Sequence, residues 1–230
     1  MSITSSTLTR AAAVAAALSG LIYIVIQFIH PPDVVASLST QTWVTVHILS
    51  FGMAVLGIIG LSGIYLRQVR QVGVLGLIGS LMFGFFFILQ AAFNFAEAFI
   101  APLLVADAPQ LAVDFVGLFG RYPAETDLGL LAALPLVGAV LYVGGALLLG
   151  IAIIRARVLS RGGGILLIAA AAITPVAGAL LPHALERIAA IPMGLALIWL
   201  GYSLWTNHKK TAAAPILTKN QSNLDPTAAV

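Results

Sequence analysis

The chain has 230 residues, of which 60% are apolar and only 8% carry a charge. Eleven basic and eight acidic side chains are too few to cover a soluble globule of this size, because soluble proteins carry about 25% charged residues. The absence of cysteine excludes disulfides, thiolate metal sites and cysteine nucleophiles. The sequence also has no basic stripe with interleaved aromatic residues, so no nucleic-acid partner is predicted.

Six apolar runs are long enough to cross about 30 Å of hydrocarbon as helices, which takes roughly 20 residues each. These segments 1 to 6 cover residues 11–29, 43–66, 72–104, 128–154, 164–182 and 188–205. They predict an all-α integral membrane protein whose residues 1–206 form a six-transmembrane-helix bundle. The polar residues 207–230 are expected to form a disordered cytoplasmic tail.

The one long connection joins segments 3 and 4 and covers residues 105–127. Its residues 111–119 are apolar enough to lie in the headgroup layer of a bilayer. An interfacial turn is the interpretation we favour for them, and a lid over the bundle is the alternative.

Basic residues indicate the orientation of the bundle, because cytoplasmic loops retain lysine and arginine. Nine of the eleven lie on one side, and the other side holds most of the acidic residues. We therefore expect a multi-pass protein of the cell (cytoplasmic) membrane with both termini in the cytoplasm and the 105–127 loop outside. The nine residues are Arg10, Arg67, Arg70, Arg155, Arg157, Arg161, Lys209, Lys210 and Lys219.

Small residues at helical spacing predict close helix packing, since they let backbones approach where lipid provides no hydrophobic drive. The same surfaces also allow contact between two copies in a homo-oligomer. The residues are Gly76, Ser80 and Gly84 on segment 3, Ala146 and Gly150 on segment 4, and Gly194 and Gly201 on segment 6.

Polar side chains collect near the outer ends of the segments, whereas the bilayer midplane has no ionisable residue, which argues against proton-coupled transport. Spacings of three and four residues put these side chains on one face of each helix. They are Tyr23, Gln27 and His30 on segment 1, Trp43, His47 and Ser50 on segment 2, Gln90, Asn94 and Glu97 on segment 3, and His183 in the turn before segment 6.

Several interpretations of this group stay open. The side chains could simply face lipid headgroups, or they could bind a lipophilic molecule. In an enzyme for an isoprenoid-like or lipid-like substrate, Glu97 would act as acid or base with help from His47. A zinc or haem site would use His30, His47, His183 and Glu97. It is the weakest alternative because the spacing matches no ligand motif, and the sequence specifies no cofactor.

The leading expectation is a membrane protein with an outward-facing polar pocket that binds a lipid or another lipophilic small molecule. The predicted ligand-binding residues are Tyr23, Gln27, His30, Trp43, Gln90, Asn94 and His183. A membrane enzyme and a structural or accessory subunit are the alternatives. Segment 3 also carries seven of the eleven phenylalanines, and these could line an apolar cavity, although we expect most of them to face lipid.

Overall fold

The computed structural model describes the backbone of residues 4–120 and 123–222, and the side chains of these residues except 183–184 and 208–222. The described residues are almost entirely helical and contain no strand. The helices are α1 (Ser5–Ile29), α2 (Val35–Leu38), α3 (Gln41–Arg67), α4 (Val69–Phe99), α5 (Ala101–Asp107), α6 (Pro109–Gly120), α7 (Leu134–Ala156), α8 (Arg161–Leu180), α9 (His183–Glu186) and α10 (Ile191–Ser222). Two 3-10 turns, Gly129–Ala133 and Arg187–Ala190, precede α7 and α10.

Six of the helical stretches are long and apolar enough to cross a membrane, which confirms the all-α class and the six predicted segments. They are Ser5–Ile29, Gln41–Arg67, Val69–Phe99, Gly129–Ala156, Arg161–Leu180 and Arg187–Asn207. Large apolar side chains such as Leu21, Ile59 and Leu81 are exposed on their outer surface. Such a surface fits a membrane-embedded protein, because water-soluble monomers rarely expose large apolar patches.

The six long helices form a closed ring in chain order. Each packs on the next, α1 on α3, α3 on α4, α4 on α7, α7 on α8 and α8 on α10, and α10 returns to pack on α1. Neighbours in sequence are neighbours in the ring because most connections are too short to reach further. The α1–α10 contact joins the first and the last of these helices and closes the ring.

Glycine makes the α1–α10 contact possible. A Cβ atom on Gly20 would lie 2.3 Å from the carbonyl oxygen of Gly194, and a Cβ on Gly194 would lie 2.6 Å from that of Gly20. The two backbones therefore touch directly, as the small-residue pattern predicts for Gly194. Gly84 differs, since its nearest neighbour, Leu61, would be 3.7 Å from an added Cβ.

The structure corrects the predicted end of segment 3. Helix α4 stops at Phe99 and α5 begins at Ala101, with Pro102 in its first turn. A continuous helix would bring the ring of Pro102 against the carbonyl of Ala98, and proline has no N–H to continue the hydrogen-bond ladder. Much of the connection predicted as a loop is also helical, because α6 covers residues 109–120.

Helices α2, α5 and α6 pack together over one end of the ring, and we call them the cap. Their buried apolar side chains form a core of their own with Trp43 of α3 and Phe93 of α4. The cap residues in this core are Leu38, Ala101, Ala112, Phe115 and Val116. The ring consequently has a capped end, which carries the predicted polar group, and an opposite end with Arg67 and Arg155.

Asp114 ties the chain after α6 back to the cap. Its carboxylate accepts hydrogen bonds from the Thr126 hydroxyl, from the backbone N–H groups of Glu125 and Thr126, and from the Gln110 amide. The Thr126 hydroxyl, followed by the backbone donors, lowers the pKa of Asp114, because these bonds favour the charged form.

Helix α10 continues to Ser222, beyond the predicted end of segment 6, and the predicted disorder of the tail stays a prediction. Asn207 holds the first turn beyond the predicted end of segment 6. Its Nδ2 donates to the carbonyl of Val158 at 2.9 Å, and its Oδ1 accepts from Arg67 Nε at 2.7 Å. The alanines and lysines that follow are good helix formers. Residues 223–230 lie outside the described residues.

Candidate functional site

A cavity of about 210 Å³ lies within the ring at the capped end, and we call it the polar chamber. The structure brings together seven of the residues that the sequence singles out, on α1, α3, α4 and the connection after α1. The seven are Tyr23, Gln27, His30, His47, Gln90, Asn94 and Glu97. Ser50 of the predicted face of segment 2 lines the same cavity. Their convergence is observed, while their roles stay predictions.

His47 and Glu97 form the buried centre of the polar chamber. His47 Nδ1 lies 2.8 Å from the carbonyl oxygen of Trp43, which can only accept, so Nδ1 carries a hydrogen. The other ring nitrogen, Nε2, lies 3.0 Å from Glu97 Oε2. One proton must lie in this second contact, either on the carboxyl group or on the ring, and in both cases the pair has no net charge.

Trp43 supports this pair from behind the cavity wall. It is fully buried, its Nε1 donates to the backbone carbonyl of Glu97 at 2.9 Å, and its ring centroid is 4.2 Å from that of His47. Trp43 is predicted to bind the ligand, but the structure does not place it among the residues that line the chamber. Its contacts with His47 and Glu97 fix the position of both side chains.

Asp33 and Arg187 form an ion pair in the chamber wall, and sequence reasoning did not select either residue. Their separation by 154 positions gives no local pattern from which to find them. His30 lies beside them, with Nδ1 2.6 Å from the carbonyl oxygen of Pro31. Burial, followed by the charge of Arg187, lowers the pKa of His30 to about 4. The ring is therefore neutral at pH 7, with its lone pair on Nε2.

Three polar side chains of the wall turn a donor back onto their own helix. The donors bond to the carbonyl oxygen four residues earlier, which leaves the amide oxygens of Gln27 and Asn94 on the side away from that carbonyl. The bonds run from Gln27 Nε2 to Tyr23 O at 2.8 Å, from Asn94 Nδ2 to Gln90 O at 2.7 Å, and from Ser50 Oγ to Val46 O at 2.9 Å. Each amide nitrogen keeps its second N–H, so the wall presents open acceptors together with amide donors.

A second cavity of about 280 Å³ adjoins the first, and we call it the apolar chamber. The two share four lining residues, Tyr23, Gln90, Phe93 and Phe119. Phe119 belongs to α6, so the cap contributes to the walls of both chambers. The remaining wall is largely apolar, with Phe86, Leu89, Pro135, Val143 and Pro175 among its members.

The phenylalanines of α4 only partly follow the prediction that most face lipid. Phe85, Phe95 and Phe99 are exposed, but the other four are buried. Two of the buried rings, Phe86 and Phe93, line the apolar chamber. The prediction is therefore wrong for four of seven, because the helix turns one face inward and the run of aromatic letters does not reveal which.

Hydroxyl groups join α7 and α8 at the apolar chamber. Thr174 Oγ1 donates to the carbonyl of Ala170 at 3.0 Å and lies 3.0 Å from the Tyr142 hydroxyl, so Tyr142 donates to Thr174. Tyr23 of α1 lies near Tyr142 and lines both chambers.

A metal site receives no support from the side chains that the structure describes. Among them, no group of three or more histidine, cysteine, aspartate or glutamate side chains is placed to hold a metal ion. The side chain of His183, the fourth member of the proposed ligand set, lies outside the described residues.

No known protein family, curated protein or solved structure matches the chain. The fold and the cavities themselves define its class: a helical protein with six apolar helices able to span a membrane, closed into a ring around a two-chambered cavity.

Proposed function

We propose that this protein is a multi-pass membrane protein that binds a lipid or another lipophilic small molecule in the two chambers. The polar part of the ligand lies near Gln27, His47 and Glu97, and its apolar chain lies in the apolar chamber. The observation that carries the proposal is the junction of a polar and an apolar cavity. Their volumes of about 210 and 280 Å³ together suit a small molecule, whose sites have roughly 300–1,000 Å³.

The ligand enters from the side of the ring. Ala139 of α7 and Pro175 of α8 line the apolar chamber and are also exposed. The chamber therefore reaches the outer surface between these two helices, where a bilayer would supply lipid. Gly138 keeps the wall thin at this point, since only Leu89 Cδ2 lies within 4 Å of the position of an added Cβ.

The proposed orientation has both termini in the cytoplasm and the capped end outside the cell membrane. It rests on the nine basic residues at the opposite side of the bundle and on the positive-inside rule. A reporter enzyme that is active only in the cytoplasm, fused after Val230, should be active. Activity of a periplasm-dependent reporter at the same position would reverse the orientation.

Filling the apolar chamber tests the binding function. The variant Gly138→Leu places a side chain into that chamber without a backbone clash. We expect it to reduce photolabelling of the protein in nanodiscs by a diazirine-bearing C16 alcohol at least tenfold. The matched control is Gly52→Leu on α3, which lines neither chamber and has no atom within 4 Å of an added Cβ. Equal labelling of both variants would reject the site.

A second candidate function, an acid–base enzyme acting on the same class of molecule, is favoured by the contact between His47 and Glu97. Two groups that hold one proton between them at 3.0 Å can deliver it to a bound substrate or remove one from it. Turnover of isoprenoid or lipid substrates should then be lost in Glu97→Gln while photolabelling persists. Equal turnover by the wild type and this variant would exclude Glu97 as acid or base.

A further inference from the structure

We propose that the polar chamber selects an uncharged head group that donates hydrogen bonds, namely the hydroxyl group of a lipid alcohol. The inference rests on the ligand binding proposed above and adds the chemical class of the head group. It follows from two properties of the chamber wall, its mixture of open acceptors with amide donors and its lack of net charge.

The acceptors of the wall are left open by bonds that the wall makes with itself. The back-bonds of Gln27, Asn94 and Ser50 each use a donor on the residue's own helix. His30 gives its Nδ1 hydrogen to the carbonyl oxygen of Pro31. Amide oxygens, the Ser50 oxygen and a ring nitrogen lone pair remain for a ligand together with the second N–H of each amide, so the wall is matched by a group that both donates and accepts.

The ionisable groups of the wall leave no net charge for a charged head group to meet. His47 and Glu97 together hold one proton, and Asp33 neutralises Arg187. A carboxylate or phosphate head would therefore face lone pairs and Glu97 without a free cation. A quaternary ammonium head has no N–H to donate and would find no uncompensated anion. Moving either ion out of water carries a large cost that this wall does not offset.

A hydroxyl group also fits better than an ether because it donates. A site built to hydrogen-bond a hydroxyl rejects an analogue that lacks it, since the acceptors of the site are then left buried without partners. Gln90, which lines both chambers, supplies an amide group that can donate as well as accept. A hydroxyl oxygen can accept that bond while its hydrogen goes to one of the acceptors.

The test is competition against the diazirine-bearing C16 alcohol in nanodiscs by four molecules with the same C16 chain. They are hexadecanol, hexadecyl methyl ether, palmitate and hexadecyltrimethylammonium. We expect hexadecanol to compete at a concentration at least tenfold lower than each of the others. Equal competition by the ether, or stronger competition by either ion, overturns the head-group inference and leaves the binding function standing. If no C16 probe labels the protein saturably, the binding function itself fails, and this inference with it.

Two variants locate the selectivity in the wall. Asn94→Leu and Gln27→Leu each remove one acceptor from a different helix while keeping a side chain of similar size. Each bond lost is to the residue's own helix, so we expect both proteins to fold with unchanged Tm. In each, the preference for hexadecanol over the ether should fall to within about threefold. An undiminished preference in both variants would mean that these acceptors do not read the head group.

Discussion

Replacing Glu97 tests how the buried pair is held together. His47 is 1% exposed, and its Nδ1 hydrogen is committed to the carbonyl of Trp43. Glu97→Leu therefore leaves His47 Nε2 buried without a partner, which costs about 1–3 kcal/mol. Glu97→Gln replaces the carboxyl group by an amide whose N–H can donate to Nε2. It should stay within about 1 kcal/mol of the wild type, because one hydrogen bond is exchanged for another.

The assay is equilibrium unfolding in mixed micelles of a mild detergent and sodium dodecyl sulfate, followed by circular dichroism. We expect Glu97→Leu to unfold with a free energy roughly 2 kcal/mol below that of Glu97→Gln, about a 30-fold change in the unfolding equilibrium. The control is Glu125→Leu, because the exposed Glu125 side chain should change stability by less than about 0.5 kcal/mol. If Leu and Gln at position 97 are equally stable, the contact does not hold His47. If both are strongly destabilised, the pair is an imidazolium and a carboxylate.

Three further predictions concern the frame of the site. Gly20→Ala should lower the free energy of unfolding by about 2 kcal/mol, because the added Cβ would lie 2.3 Å from a backbone oxygen. The control Gly52→Ala should leave this free energy unchanged, because the space around Gly52 is open. Equal effects of the two substitutions would refute the close crossing of α1 and α10. Asp114→Asn should speed hydrogen exchange in α6. Because the pKa of Asp114 is lowered in the folded protein, its carboxylate stabilises the fold fully above the unfolded pKa of about 3.9. This stabilisation is lost as the pH falls through the folded pKa. Hydrogen exchange in α6 that stays unchanged at low pH would contradict this reasoning. The pKa of His30 is about 4 in the folded protein and about 6.5 in the unfolded chain. Between these two values the unfolded chain binds the extra proton, so the free energy of unfolding should rise with pH. If His30→Gln keeps the same slope, another group causes the pH dependence.

The six spans could be predicted from the sequence because each is a local property, a run of apolar residues longer than the bilayer is thick. Their ends depend on single residues rather than on composition. Pro102 ends α4, but an apolar run continues through it to Leu104, so composition alone extends the helix too far. The helical cap was missed for a similar reason, since α6 is too short to stand out as a span and depends on packing against Phe93 and Trp43.

The sequence predicts which polar residues share a face of one helix, but it does not predict which helices face each other. Spacings of three and four residues group Tyr23 with Gln27, and Gln90 with Asn94, and these residues do line one cavity. Which helices face each other is decided by packing over long sequence distances. The Asp33–Arg187 pair and the bond between Tyr142 and Thr174 therefore left no local signal, and the apolar chamber beside them could not be inferred.

The contact between α1 and α10 makes the cavity a product of the whole chain. Tyr23 of α1 and Arg187 of the turn before α10 both line the polar chamber, and the two helices meet through the Gly20–Gly194 crossing. During synthesis the first helix reaches the bilayer long before its partner exists. Its glycine face is exposed to lipid until the last span is inserted, so a chain cut short before α10 has five spans and a ring that is open between α1 and α8.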